Sequence, residues 1–149
     1  MNKSYKGLMK DDTQQRIRLS TRDGLTGYKI TKFEIFPYDD STVEATFKVF
    51  SKDQKLIGNT NTTDFGDPTL LAAAYFTMDG SSQIYPENLV VVVDNKIINQ
   101  DIYITLRCHN SAADLNFYIE LEQVTLSKDE AAVATLKDMR AGPDTNFGP

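Results

Sequence analysis

The sequence predicts an all-β chain: a two-sheet, jelly-roll-like sandwich of about eight strands, with one C-terminal α-helix. Three observations point there. From Ile17 to Leu126, apolar and polar residues alternate with the period of a strand in segment after segment. Turn-forming residues such as Asp23-Gly24 and Ser51-Lys52-Asp53-Gln54 separate those segments at short intervals. Only beyond Ser127 does the pattern change to that of a helix.

Residues 1–14 lack sustained periodicity and read as an extended N-terminal arm, leaving 15–126 for the sandwich. Ile17 and Leu19 alternate with Arg16, Arg18 and Ser20 in a half-buried strand. Tyr28 and Ile30 share one face, whereas Phe33 and Ile35 fall on the other parity. A bulge near Thr31-Lys32 reconciles them, because one extra residue flips the pleat. Val43, Ala45, Phe47 and Val49 face inward and Glu44, Thr46 and Lys48 outward, with a hairpin leading on to Leu56-Ile57. Leu70 to Phe76 suits either a short helix capped by Asp67-Pro68 or, given its β neighbours, a strand. Leu89 to Val93 is continuously apolar and reads as a fully buried strand. Ile102, Ile104, Leu106 and Cys108 then point inward, as do Leu115, Phe117, Ile119 and Leu121, with a second bulge expected near Gln123.

The helix is expected over 127–141. Ser127 and Glu130 form a capping box, and Gly142-Pro143 supplies the stop. Ala132, Val133, Leu136 and Met139 make its apolar stripe, which must dock on the sandwich or on another subunit. Residues 142–149 are expected to be a flexible tail carrying Phe147.

Composition narrows the function. At 149 residues the chain suits one domain that buries about two-thirds of its unfolded surface. The net charge of −5 hides an asymmetry: residues 1–32 hold eight Lys/Arg against three Asp, and the rest hold eight against eighteen acids. An acidic body argues against nucleic acid, and a basic arm on it suits an acidic protein surface or another copy of the chain. No apolar run reaches membrane-spanning length, no secretory signal is evident, and the single Cys108 fits synthesis in a reducing cytoplasm.

Catalytic and metal motifs are sparse. Cys108-His109 pairs a nucleophile type with a base, but strand neighbours point to opposite faces. Asp39-Asp40 and Asp64-Phe65-Gly66-Asp67 offer oxygens for calcium without the spacing of a known loop, and also suit ordinary turns. Glu120 and Glu122 share a strand face at a separation compatible with glycoside hydrolysis, as does any solvated acidic face. No enzyme, cofactor or metal is therefore expected. Phe50, Tyr103 and Tyr118 lie on outward parity, where they suit sugar stacking, a subunit interface or burial under the helix.

The run Leu25-Thr26-Gly27-Tyr28-Lys29-Ile30-Thr31-Lys32-Phe33 resembles a Thr-Gly-Tyr-x-Ile-x-Lys-Phe stretch in small virion structural proteins of marine tailed bacteriophages. Asp67–Ala74, Asn99–Tyr103 and the stretch from Tyr118 to Lys137 are similar too, so the resemblance spans most of residues 20–140. It implies a virion component encoded among head and tail genes, and it transfers no functional residue. The expected role is a decoration or minor capsid subunit, with the major capsid protein and further copies of itself as partners. A tail or fibre component binding host glycans is the alternative. Lys3, Tyr5, Lys6 and Lys10 of the arm and Phe147 of the tail are the expected interaction residues.

Overall fold

The computed structural model describes residues 2–54, 62–79, 88–109 and 112–140, the side chains of Asn88 and 137–140 excepted. Eight strands run β1 (Asn2–Met9), β2 (Thr13–Ile17), β3 (Thr26–Pro37), β4 (Val43–Phe50), β5 (Leu70–Met78), β6 (Asn88–Val93), β7 (Ile102–Cys108) and β8 (Leu115–Thr125). Helix α1 (Lys128–Arg140) follows. All strand pairs are antiparallel, in one sheet ordered β1-β8-β3 and another ordered β2-β7-β4-β5-β6.

This is a jelly-roll order with one departure. In a jelly roll the sixth strand would lie beside β3; here it pairs with β5 on the opposite sheet. The core forms between the sheets from the inward face of each strand. Phe47 sits at its centre, its ring 6.1 Å from Phe33 and 6.3 Å from Phe117 of the facing sheet.

The bulge expected near Thr31 is present, since the β3–β8 register shifts between Ile30 and Lys32. No second bulge occurs near Gln123, where pairing with β3 runs without a break to Thr26↔Thr125. Val124 simply turns outward, and Leu126 lies past the strand end, its N–H donating to Leu25 O. Leu70–Met78 is strand β5 and not a helix. The expected strand at Leu56-Ile57 lies outside the described residues, as do Gly142-Pro143 and the tail.

Further expectations about the strands are overturned. The arm at 1–14 is part of the sandwich: Asn2–Met9 pairs along its whole length with β8, and Thr13 already belongs to β2. The Leu89–Val93 run is an exposed edge, because among the described residues β6 is hydrogen-bonded on one side only. On β4, Thr46, Lys48 and Phe50 have outward parity yet are buried. The chain at 62–69 crosses that face: Lys48 Nζ donates to Thr62 O, and Ser51 N–H donates to Thr69 O. Burial there pulls the Lys48 ammonium below its ordinary pKa, against the pull of Asp67.

The capping box forms as expected. Ser127 N–H donates to Glu130 Oε1 at 2.9 Å and Glu130 N–H to Ser127 Oγ at 3.1 Å. The docked face, however, is Ala131 and Ala134, while Val133 and Leu136 remain about half exposed. Small residues win because the helix approaches backbone. Asn99, fully buried, places Nδ2 2.8 Å from Thr135 Oγ1, 3.0 Å from Gly24 O and 3.2 Å from Ala131 O. Gly24 adopts φ +68°, and a Cβ at Gly27 would lie 2.8 Å from Ile97 Cγ2. The helix thus docks on its own chain. Asn99→Leu is expected to cost about 2 kcal/mol by stripping those oxygens of their donor. Thermal melts should register the loss, and amides of 128–136 should exchange faster.

Candidate functional site

A concave surface with exposed apolar side chains lies on the outer face of the β1-β8-β3 sheet. Register aligns Lys6, Tyr118 and Glu34 in one row, and Leu8, Asn116 and Phe36 in the next. The β3 bulge creates this arrangement. Before it, even-numbered residues Tyr28 and Ile30 face the core; after it, Phe33 and Ile35 do, which turns Phe36 to solvent. With Leu89 from β6, these residues line a groove of about 700 Å³. Phe36 is 71% exposed, and Leu8 and Leu89 are each more than 40% exposed. Tyr38, at the end of β3, adds a further exposed ring.

Of the residues expected to make contacts, Lys6 lines this groove. Tyr5 is on the opposite face of β1, half-buried against the core. Lys3 holds its ammonium 5.6 Å from the centre of the buried Tyr28 ring, at the other end of the strand. Lys10 is exposed beyond the strand, its carbonyl accepting a 2.6 Å hydrogen bond from Thr13 Oγ1. Phe147 lies outside the described residues. Leu8, Phe36 and Leu89 were not singled out by their sequence context.

A second, polar hollow of about 350 Å³ opens over β2 and β7, lined by Arg16, Ser51, Lys52, Asp53, Asp101 and Tyr103. Arg16 Nε donates to Asp101 Oδ2 at 2.8 Å, and its guanidinium lies 5.9 Å from the Tyr103 ring centre. Tyr103 is half-exposed here, and its neighbour on β4, Phe50, is buried.

Most candidates for catalysis or metal binding are engaged locally. Cys108 is buried, its thiol 3.5 Å from Ala113 O, and burial pushes its pKa up to about 11. His109 points to the other face, with Nε2 2.7 Å from Thr46 Oγ1. Beside it, Tyr75 OH donates to Glu44 Oε2 at 2.5 Å, which raises the phenol's pKa. Glu120 accepts from Tyr118 OH at 2.7 Å, and Glu122 lies 3.9 Å from Lys29 Nζ. Asp39 accepts from Ser41 N–H, Asp64 from Gly66 N–H, and Asp67 from the N–H and hydroxyl of Thr69. These are turn-closing contacts. Among the described residues, no three His, Cys, Asp or Glu side chains gather as a metal ligand set. Nor is any described helix long and apolar enough to cross a membrane.

Compared with models of known protein families, with curated proteins and with solved structures, the chain finds no match.

Proposed function

We propose that this chain is a non-enzymatic structural subunit of a tailed-phage particle, a decoration or minor capsid protein that reinforces the shell through subunit–subunit contacts. The observation that carries the reading is the exposed apolar groove that Leu8 and Phe36 of the β1-β8-β3 sheet form with Leu89 of β6. Large apolar side chains gathered at one concave surface are what a protein interface requires. Lys6 and Glu34 at its rim supply charges of both signs for register. The resemblance of 20–140 to virion proteins supports the same assignment, with the major capsid protein and further copies of the chain as partners.

Truncating the first twelve residues cannot test this, because it would strip a strand from β8. Surface substitutions can. Leu8→Asp with Phe36→Asp should leave the melting temperature nearly unchanged, both side chains being solvent-exposed. The same double variant should no longer co-sediment with purified particles. Undiminished binding to particles would overturn the assignment.

The hollow beside Tyr103 supports a second reading, a tail or fibre module that holds host glycans. Its aromatic ring beside Arg16, Asp53 and Asp101 is chemistry that suits sugar hydroxyls and ring faces. A glycan array separates the two, since a shell-reinforcing subunit shows no sugar preference.

A further inference from the structure

Among the described strands, β6 is the edge without a guard. Edge strands in stable monomers carry charges, prolines or bulges that keep other strands away. β1 has Lys3 and Lys6, β2 has Arg16, and β3 has Lys29, Lys32, Glu34 and a bulge. From Asn88 to Val93, β6 has no charge, no proline and no register shift. Its side chains are exposed on both faces, Val90 at 51% and Val92 at 44% on the outer one, and Leu89 at 43% on the one that continues the core.

The hydrogen-bond phase of this strand can be read directly. Asp94 N–H donates to Leu71 O of the neighbouring strand at 2.8 Å. Residues of an antiparallel strand alternate in the side to which their backbone groups point. Val92 and Val90 therefore bond to β5, while Leu89, Val91 and Val93 direct their N–H and C=O groups at the open edge. Among the described residues, nothing hydrogen-bonds to that edge.

We propose that β6 pairs antiparallel with β6 of a second copy about a two-fold axis at Val91, joining two five-stranded sheets into one. The phase makes this register self-complementary. Val91 meets Val91, and Leu89 meets Val93, each pair exchanging two backbone hydrogen bonds. Charge at the seam does not oppose an identical partner. In a chain of net charge −5, the seam brings no like charges together, and the flanking Asp94 falls opposite the uncharged Asn88. Leu89 also lines the apolar groove, so the covered surface continues past the strand towards Leu8 and Phe36.

The seam deepens the shell-subunit reading and rests on it only for its purpose. The test is the mass of the full chain at micromolar concentration by light scattering. Wild type should measure twice its 16.7 kDa. Val91→Pro removes an edge N–H but no β5 bond, and Val91→Lys sets two ammonium groups face to face. Both should halve the mass and leave the melting temperature within a few degrees of wild type. Val90→Lys with Val92→Glu, which places opposite charges across the seam, should remain dimeric. A monomeric wild type, or a dimer that survives both Val91 variants, overturns the seam. A monomer that still joins particles overturns it and leaves the shell role standing. A dimer that Val91→Lys dissolves, from a chain that never joins particles, upholds the seam and overturns the shell role.

Discussion

Asp101→Ala is expected to cost about 3 kcal/mol, because it leaves buried donors without an acceptor. Asp101 Oδ1 accepts from Leu19 N–H and Ser20 N–H, both at 2.8 Å, and Oδ2 accepts from Arg16. One carboxylate thus pins the chain leaving β2 to the start of β7, which Asp101 immediately precedes. Its side chain is only 7% exposed. Burial by itself would raise its pKa, but the Ser20 N–H, the Arg16 guanidinium and the Leu19 N–H together pull it down from 3.8 to about 2. A folded-state pKa below the unfolded one gives stability that is complete above the unfolded value and is lost as pH falls towards the folded one. The wild-type protein should therefore lose about 2 kcal/mol of stability between about pH 4 and pH 2 from this group. Thermal melts should show wild type and Asp101→Ala converging across that interval. A constant gap between the two would contradict the assignment. Asp101→Asn, which keeps an oxygen for the two N–H groups, should cost less than alanine.

The second large effect is expected at Phe47→Ala, about 4 kcal/mol. Phe47 is fully buried and is the ring that touches both Phe33 and Phe117 across the sandwich. Its removal leaves a cavity between two sheets whose backbones are held apart by their remaining side chains, so little collapse can refill it. For a chain of this size the melting temperature should fall by about 10 °C. Phe47→Leu, which fills most of the space, should recover more than half of that loss.

The central strands were legible because each has one face in the core and one in a different environment. Val43, Ala45, Phe47 and Val49 alternate without a gap, and the parity switch at Thr31 marks its bulge directly. The capping box was legible because its two bonds are local. β1 escaped notice for a packing reason. On its inward face Tyr5 is half-buried and Gly7 stands against the Phe117 ring, where a Cβ would approach Cε2 to 3.1 Å. The apolar beat of a strand is missing where a glycine must make room.

β6 misled for the opposite reason. An uninterrupted aliphatic run looks the same whether neighbours cover both faces or none, and only the topology decides. The helix stripe failed because depth of docking, set by Asn99 and Gly24, selected Ala131 and Ala134 over larger side chains. The groove was invisible in the sequence. Leu8 and Phe36 lie on β1 and β3, and β8, near the far end of the sequence, brings them together.

That central position of β8 governs how the molecule comes into being. Both strands flanking it are made early, yet neither can bond to it until residues 115–125 have been synthesised. During translation the larger sheet has most of its members while the face it must pack against is still absent. Pairings of such long sequence separation fold slowly, and the unfinished product exposes sticky surface as it waits. Completion of the smaller sheet therefore waits on β8, whichever surface the finished molecule presents.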